Sequence, residues 1–257
     1  MIEDAILSFY ERILRMQCRH IPSHIAIIQD GNRRFARTRN MPRSEGHRAG
    51  ANRTEEMLSW ARDLGIKHIT LYSFSTENFN RDSEEVQDLF CLFKDKLSRV
   101  ISDPRVHRDG IRVQVVGDRS LLPPDLQEAI ARAEEATKHY DKYFLNVALA
   151  YGGRNEIVRA AQRIIGGVSR GEVSLQDITP EFVESQLHEG QNIPPVDLII
   201  RTGNEYRTSN FLPWLANGHE SAVYFCAPYW PRFRKIDLLR AIRTYSQRID
   251  AMGKASC

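Results

Sequence analysis

The sequence predicts a single α/β domain, with a six-stranded, mostly parallel sheet flanked by helices. Three observations lead to this prediction. Short runs of apolar and β-branched residues alternate with longer segments whose apolar residues recur at helical spacing, which is typical of parallel strands joined by helices. The 257 residues contain no linker-like stretch, internal repeat or low-complexity segment. Polar clusters follow several of the strands, at the edge where such sheets bind ligands.

Six apolar runs predict the strands, at residues 25–28, 68–74, 112–116, 144–150, 198–200 and 223–225. Amphipathic patterns predict helices at residues 54–64, 83–101, 123–138, 155–165 and 235–249. Gly166, Gly167 and Gly171 predict a surface loop after the fourth of these helices. Residues 1–20 are predicted to form an N-terminal amphipathic helix and residues 21–257 the domain. This helix is expected to pack on the domain, and a role at a membrane surface is left open.

Net charge, cysteine spacing and the length of the apolar runs limit the classes of partner and compartment that the sequence predicts. The formal net charge of +3 is nearly balanced, so the bulk charge does not predict a nucleic-acid partner. The cysteines, Cys18, Cys91, Cys226 and Cys257, lack the spacing of a zinc site and are expected to be reduced thiols of an intracellular, cytoplasmic protein. No apolar run has the length of a membrane span, and the N-terminus lacks the basic region of a secretory signal.

The segment that follows the first predicted strand combines a carboxylate, a glycine and many cations. Asp30 and Gly31 come directly after the strand, and a helix is expected to begin next. The cations that follow are Arg33, Arg34, Arg37, Arg39, Arg43, His47 and Arg48. Glycine, a helix N-terminus and guanidinium groups are suited to binding phosphate, and Asp30 beside a polyanion suggests a divalent cation between them. The alternative is a solvated basic loop in which Asp30 caps the helix.

Two further clusters follow the second and fifth strands. Residues 201–210 place Arg201 and Arg207 around a glycine and hydroxyl groups, which predicts a second phosphate site or, alternatively, a polar surface loop. Residues 75–81 offer polar groups for phosphate binding or proton transfer, and Phe79 could cover an apolar substrate. Glu220 is either a second metal ligand or an ordinary surface acid. The sequence lacks the glycine-rich fingerprints of triphosphate and dinucleotide sites.

Together these motifs resemble the signature of the cis-prenyltransferases, the undecaprenyl diphosphate synthase family. The first motif is Asp30-Gly31-Asn32-Arg33-Arg34-Phe35, with Arg43 and Gly46-His47. The others are residues 73–81, 146–154 and 201–211, in the order that the family has. The resemblance extends from about His24 to Phe233.

The resemblance implies a homodimer with the cis-prenyltransferase fold, an apolar tunnel, and a catalytic domain at residues 21–257. The implied reaction condenses isopentenyl diphosphate with an allylic prenyl diphosphate to give a cis-polyprenyl diphosphate and free diphosphate. Asp30 is implied to be the essential carboxylate and a Mg²⁺ ligand, Glu220 the second ligand, and Asn78 the group that assists proton removal. The residues implied to bind the allylic substrate are Gly31, Asn32, Arg33, Arg34, Phe35, Arg43 and His47. Those implied to line the site are Ser75, Thr76, Glu77, Phe79 and Arg81. Those implied to bind isopentenyl diphosphate are Arg201, Arg207, Thr208 and Ser209.

Departures from the family pattern leave alternatives open. Arg33 stands where the family usually has a small residue, and Phe35 and Phe79 replace a frequent Trp. The alternatives are a prenyltransferase of the same fold with a different acceptor, and a non-catalytic subunit that supports a catalytic partner. Asp30 argues against the second, because such subunits typically lose this residue. Peripheral membrane contact during product release is a further expectation.

Overall fold

The computed structural model describes residues 2–191, 193–216 and 221–255, which contain one six-stranded sheet. The strands are β1 (His24–Ile28), β2 (His68–Tyr72), β3 (Ile111–Val116), β4 (Tyr143–Ala148), β5 (Leu198–Arg201) and β6 (Ala222–Phe225). Their order in the sheet is β3-β4-β2-β1-β5-β6, and every neighbouring pair is parallel. The predicted fold is confirmed, with a sheet that is parallel throughout.

Helices connect the strands and cover the sheet. They are α1 (Ile2–Gln17), α2 (Asn32–Thr38), α3 (Arg43–Asp63), α4 (Ser83–Val100), α5 (Pro104–Asp109), α6 (Pro124–Thr137), α7 (Gly153–Ser169), α8 (Pro180–Ser185) and α9 (Lys235–Ala255). The loop predicted from Gly166 and Gly167 is wrong, because α7 continues through both. A Cβ atom at Gly167 would lie 2.9 Å from Cγ2 of Val173, so this glycine allows the following segment to approach the helix. The predicted helix 54–64 begins much earlier, at Arg43.

Strand β1 is the centre of the fold because it packs on both faces and pairs on both edges. All five of its residues are buried. Ile25 and Ile27 belong to the core on one face of the sheet, and Ala26 and Ile28 to the core on the other. The chain leaves β1 toward β2 on one side, whereas β5 lies on the other side. Ligands of parallel sheets bind at such a switch in direction, outside the carboxyl ends of the strands.

Helix α1 packs against α9 by one face. Leu14 is fully buried, and the Arg240 guanidinium lies over the ring of Tyr10 at 5.4 Å from its centroid. The opposite face exposes Phe9 and Met16, each with two thirds of its surface accessible. Among the described residues, no helix has both the length and the apolar character that crossing a bilayer requires.

Candidate functional site

The carboxyl ends of β1 and β5 bring together a carboxylate and two arginines. Register pairing sets Ile28 opposite Arg201, and Asp30 follows two residues later. One carboxylate oxygen of Asp30 accepts a hydrogen bond from Arg201 Nη2 at 2.8 Å, and the other accepts one from Arg34 Nη2 at 3.0 Å. The Arg201 side chain is 4% exposed, so this charge is held inside the protein by the Asp30 carboxylate.

Glycine permits the tight backbone around this pair. Gly31 has φ 110°, and a Cβ atom there would lie 2.8 Å from Cδ1 of Tyr229. Gly203 has φ 87°, and a Cβ atom there would lie 2.7 Å from Nη2 of Arg34. Both positions have left-handed backbone, which side chains rarely adopt. A side chain at Gly31 would also displace the backbone at Tyr229, and one at Gly203 would displace the Arg34 guanidinium group.

Glu205 connects the first and third polar clusters. Its carboxylate forms ion pairs with Arg34 Nη1 at 3.3 Å and with Arg207 Nη1 at 2.8 Å. Arg201 Nη1 donates to the carbonyl oxygen of Arg207 at 2.6 Å and contacts Ser209 Oγ. The loop after β5 therefore folds back over the end of β1, and its cations face the same space as those of α2.

A second group of cations surrounds one buried acid, Glu85, on the first turn of α4. The side chain of Glu85 is only 3% exposed. His47 donates to Glu85 Oε1 at 3.2 Å, and Arg81 donates to the same oxygen at 3.1 Å. Arg43 Nη1 lies 3.3 Å and Arg33 Nε 3.5 Å from Glu85 Oε2. Glu85 thus holds cations from three segments of the chain in one cluster, which we call the Glu85 cluster.

Electrostatics within the Glu85 cluster favour an ionised acid beside a neutral imidazole. Burial favours the neutral form of Glu85, but the Arg81 charge and the hydrogen bond from His47 outweigh it and hold the pKa of Glu85 below its ordinary value. Burial lowers the pKa of His47 from its ordinary value, and Glu85 opposes this shift only in part. Around neutral pH, the positive charge available to an anion therefore comes from the arginines.

These groups line one end of a large cavity with a volume of about 1560 Å³. Its charged end lies at the carboxyl edge of the sheet, and its body runs along α3, α4 and the strands β2, β4 and β3. The apolar lining of the body includes Leu71, Leu97, Val113 and Val147. The predicted residues that line the cavity are Asp30, Gly31, Asn32, Arg33, Arg34, Arg43, His47, Ser75, Glu77, Asn78, Arg81, Arg201, Arg207 and Ser209.

Four predicted site residues lie outside the cavity lining. The guanidinium groups of Arg39 and Arg232 lie over the ring of Phe35, at 5.7 and 5.6 Å from its centroid. Phe79 packs edge-on against the fully buried Phe74, with ring centroids 4.9 Å apart, so its ring covers the protein core and not the cavity. The other two are Thr76 and Thr208. Glu220 lies outside the described residues.

Asn78 faces the cavity from the first turn after β2. Its side-chain oxygen accepts a hydrogen bond from the backbone N–H of Ser75 at 3.1 Å, and the Ser75 side chain completes a capping box with it. This reciprocal pair fixes the position of the amide at the cavity wall.

The family model for undecaprenyl diphosphate synthases, named Prenyltransf, matches residues 28–253. The chain belongs to this family. A tritrans,polycis-undecaprenyl-diphosphate synthase (geranylgeranyl-diphosphate specific) of Halobacterium salinarum is 49% identical over 245 residues, which cover 95% of this chain and 81% of that protein. The Archaeoglobus fulgidus protein of the same name is 51% identical over 228 residues, covering 89% of this chain and 90% of its own length.

A solved structure in the same family is similar over most of its length. It is lavandulyl diphosphate synthase from Lavandula x intermedia in complex with dimethylallyl diphosphate, with a TM-score of 0.81, 36% identity, and coverage of 88% of this chain and 95% of that chain. The predicted family, fold and cis-prenyltransferase activity are confirmed by these similarities.

The Asp30 carboxylate has the oxygen donors that Mg²⁺ prefers. Across residues 2–191, 193–216 and 221–255, no three His, Cys, Asp or Glu side chains are grouped to hold a metal by themselves. Mg²⁺ is commonly held by only one or two carboxylates together with substrate phosphates. Each Asp30 oxygen accepts one guanidinium N–H, and a carboxylate has about four lone-pair sites in all. The donor set therefore fits Mg²⁺ bound jointly with a diphosphate.

Glu85 and Glu205 are site residues to which the sequence patterns gave no role, and Glu85 is the more deeply buried of the two. An acid in the first turn of a helix is favourable for the helix dipole alone, so its position gave no reason to assign it a further role. Helical spacing could not have found Glu85, because its partner Arg81 lies in extended backbone before α4 and shares no helical face with it.

Proposed function

We propose that the protein elongates an allylic primer, geranylgeranyl diphosphate, with successive isopentenyl diphosphate units and releases a cis-polyprenyl diphosphate of about undecaprenyl length. The primer and product are those in the names of the archaeal relatives. The observation that carries the proposal is one cavity of about 1560 Å³ with two groups of arginines at one end and an apolar body. Drug-sized ligands occupy pockets of roughly 300–1,000 Å³, so this cavity has room for a long hydrocarbon chain.

Each of the two groups of arginines would bind the diphosphate of one substrate. The Glu85 cluster, with Arg34, would hold the diphosphate of the allylic primer, whose chain extends into the apolar body. Arg201 and Arg207, with Ser209, would hold the diphosphate of isopentenyl diphosphate. Asp30 and Glu205 lie between the groups and pair with arginines of both, so they keep the cations in place without neutralising all of them.

The arrangement favours transfer by stabilising the leaving group. The bond between the allylic carbon and the diphosphate oxygen breaks, the double bond of isopentenyl diphosphate forms the new carbon–carbon bond, and a proton is lost. The arginines stabilise the negative charge on the departing diphosphate from fixed positions. Mg²⁺ held by Asp30 would add positive charge at the same oxygens. Asn78, whose amide is fixed by its capping box, would assist proton removal.

One assay tests this function. The purified protein is incubated with labelled isopentenyl diphosphate and allylic primers of several lengths, with and without Mg²⁺, and the products are separated by mass. We expect incorporation that depends on Mg²⁺ and is fastest with geranylgeranyl diphosphate. A folded protein that incorporates no label would support the non-catalytic alternative, and faster transfer to another acceptor would support the other alternative. Homodimer formation and peripheral membrane contact stay predictions, which sedimentation and vesicle-binding measurements test.

A further inference from the structure

Arg154, the last residue of the motif at residues 146–154, lies in the first turn of α7 and lines the cavity. The residue is exposed. Among the residues that the structure describes, no acid lies within ion-pair distance of its guanidinium group. Arg154 therefore brings to the cavity a positive charge that no described carboxylate offsets.

Contacts between α7 and the loop after β5 fix the position of Arg154. The backbone N–H groups of Gly153 and Arg154 both donate to Asn210, the first to its carbonyl oxygen at 3.0 Å and the second to its side-chain oxygen at 2.9 Å. A Cβ atom at Gly153 would lie 2.7 Å from the same carbonyl oxygen, so the helix and the loop are in direct contact. Ser209 precedes Asn210, and both line the cavity. Arg154 therefore lies at the same end of the cavity as Ser209 and Arg201.

The arginines around the loop after β5 are already paired with acids. Arg201 pairs with Asp30 at 2.8 Å, and Arg207 pairs with Glu205 at 2.8 Å. Arg34 contacts both acids, at 3.0 and 3.3 Å. The two carboxylates thus offset most of the charge of these guanidinium groups. A diphosphate is a polyanion, so a further cation without an acidic partner would strengthen its binding here.

The position of Arg154 is unfavourable for the helix that carries it. The N-terminus of a helix bears a partial positive charge, so an acid is preferred in the first turn and a cation is repelled. The N–H groups of Gly153 and Arg154 are already bonded to Asn210, so they are not available to hold an anion in place of the side chain. A residue that opposes local stability in this way indicates a requirement of function.

We propose that Arg154 binds the diphosphate of isopentenyl diphosphate, beside Arg201, Arg207 and Ser209. This inference rests on the proposed function. In each condensation the diphosphate of isopentenyl diphosphate stays bonded to its own carbon, whereas the diphosphate of the primer departs. An arginine that holds the group that stays contributes equally to substrate binding and to the transition state. Its loss therefore raises KM for isopentenyl diphosphate and leaves kcat unchanged.

The kinetic test compares Arg154→Gln and Arg154→Lys with the parent. For Arg154→Gln we expect KM for isopentenyl diphosphate to rise about tenfold or more, the scale of losing a hydrogen bond to a charged group, with KM for the primer and kcat unchanged. Arg154→Lys should lie between, because it keeps the charge and loses the planar fork. The matched control is Arg170→Gln at the other end of α7, where the guanidinium group pairs with Glu172 at 2.8 Å outside the cavity lining, and it should keep the parent kinetics. A lower kcat with an unchanged KM for isopentenyl diphosphate would place Arg154 at the leaving group and overturn the proposal.

Two measurements without turnover separate this inference from a structural role and from the proposed function. Calorimetry with isopentenyl diphosphate and no primer should give a dissociation constant about tenfold higher for Arg154→Gln than for the parent. Urea unfolding should give Arg154→Gln an equal or higher free energy of unfolding, because a cation is removed from the helix N-terminus. Equal affinities, with or without a loss of stability, would overturn the proposal. A parent that binds isopentenyl diphosphate but incorporates none would count against the proposed function alone, and a parent that does not bind it would contradict both.

Discussion

At the scale of a single residue, the Asp30 carboxylate pairs with Arg34 and Arg201 and also lines the cavity. Asp30→Asn removes the charge with little change in shape. We expect turnover to fall by roughly 10²–10³-fold, the scale of losing a main electrostatic stabiliser. Primer binding should persist, because the Glu85 cluster is unaltered. Steady-state kinetics and primer titration measure the two effects, with the exposed Asp125→Asn as control, and near-normal turnover in a folded Asp30→Asn protein would exclude the catalytic role.

Glu85 has a matched control in its neighbour on the same turn, Glu84, which is exposed. Glu85→Gln keeps the shape and removes the charge that holds the surrounding cations together. Because hydrogen bonds to charged groups contribute about 1.5–3 kcal/mol, we expect a loss of stability on that scale and a higher KM for the primer. Glu84→Gln should change neither. Equal stabilities and primer KM values for the two variants in urea unfolding and kinetics would show that the Glu85 cluster has no such role.

At the scale of an element, α4 presents two phenylalanines one turn apart to different surroundings. Phe93 lines the cavity, whereas Phe90 lies outside the lining and packs on Phe74 with ring centroids 5.2 Å apart. We expect Phe90→Ala to lower the free energy of unfolding and to leave product length unchanged. The loss should be below the ~3–5 kcal/mol of a fully buried phenylalanine, because Phe90 is only partly buried. Phe93→Ala should cost less and lengthen the products, because substrate can fill the vacated space. Urea unfolding and product analysis of both variants test this division, and the reverse pattern would contradict it.

The elements also show how far the sequence could predict this molecule. The meeting of Asp30 with Arg201 was predictable, because the carboxyl ends of parallel strands lie at the same edge of a sheet. The burial of Glu85 was not, since it depends on the packing of α3 against α4. Phe90 and Phe93 share a helical stripe, so periodicity alone could not separate core from cavity. The packing of Phe79 against the core could not be predicted either, because it depends on the position of Phe74.

At the scale of the whole molecule, His24 makes stability depend on pH. It is 1% exposed at the amino end of the central strand. Its Nδ1 donates to the carbonyl oxygen of Pro194 at 2.8 Å and its Nε2 accepts from the Thr70 hydroxyl at 2.7 Å, an arrangement for the neutral ring. Burial lowers the pKa of His24 from 6.5 to about 4. Between these values the unfolded chain binds a proton that the folded protein does not, so stability is complete above 6.5 and falls as the pH drops toward 4.

The size of this effect can be measured by substitution. We expect His24 to contribute a slope of up to about 1.4 kcal/mol per pH unit within that window. His24→Gln should flatten the dependence of the free energy of unfolding on pH, whereas the exposed His139→Gln should leave it unchanged. Urea unfolding of the three proteins from about pH 4 to pH 7 isolates the contribution. Parallel curves for the parent and His24→Gln would assign the pH dependence to other groups.

The pairing of Asp30 with Arg201 joins positions 171 residues apart, whereas Glu85 contacts His47 and Arg43 across 38 and 42 residues. Contacts between distant parts of a chain form later during folding than local ones, because a longer loop must close first. A chain folding from the denatured state would therefore assemble the Glu85 cluster before β5 joins the sheet. Until β5 brings Arg201 to Asp30, the partly folded chain would bind the primer but could not extend it. Primer binding should therefore return before turnover during refolding.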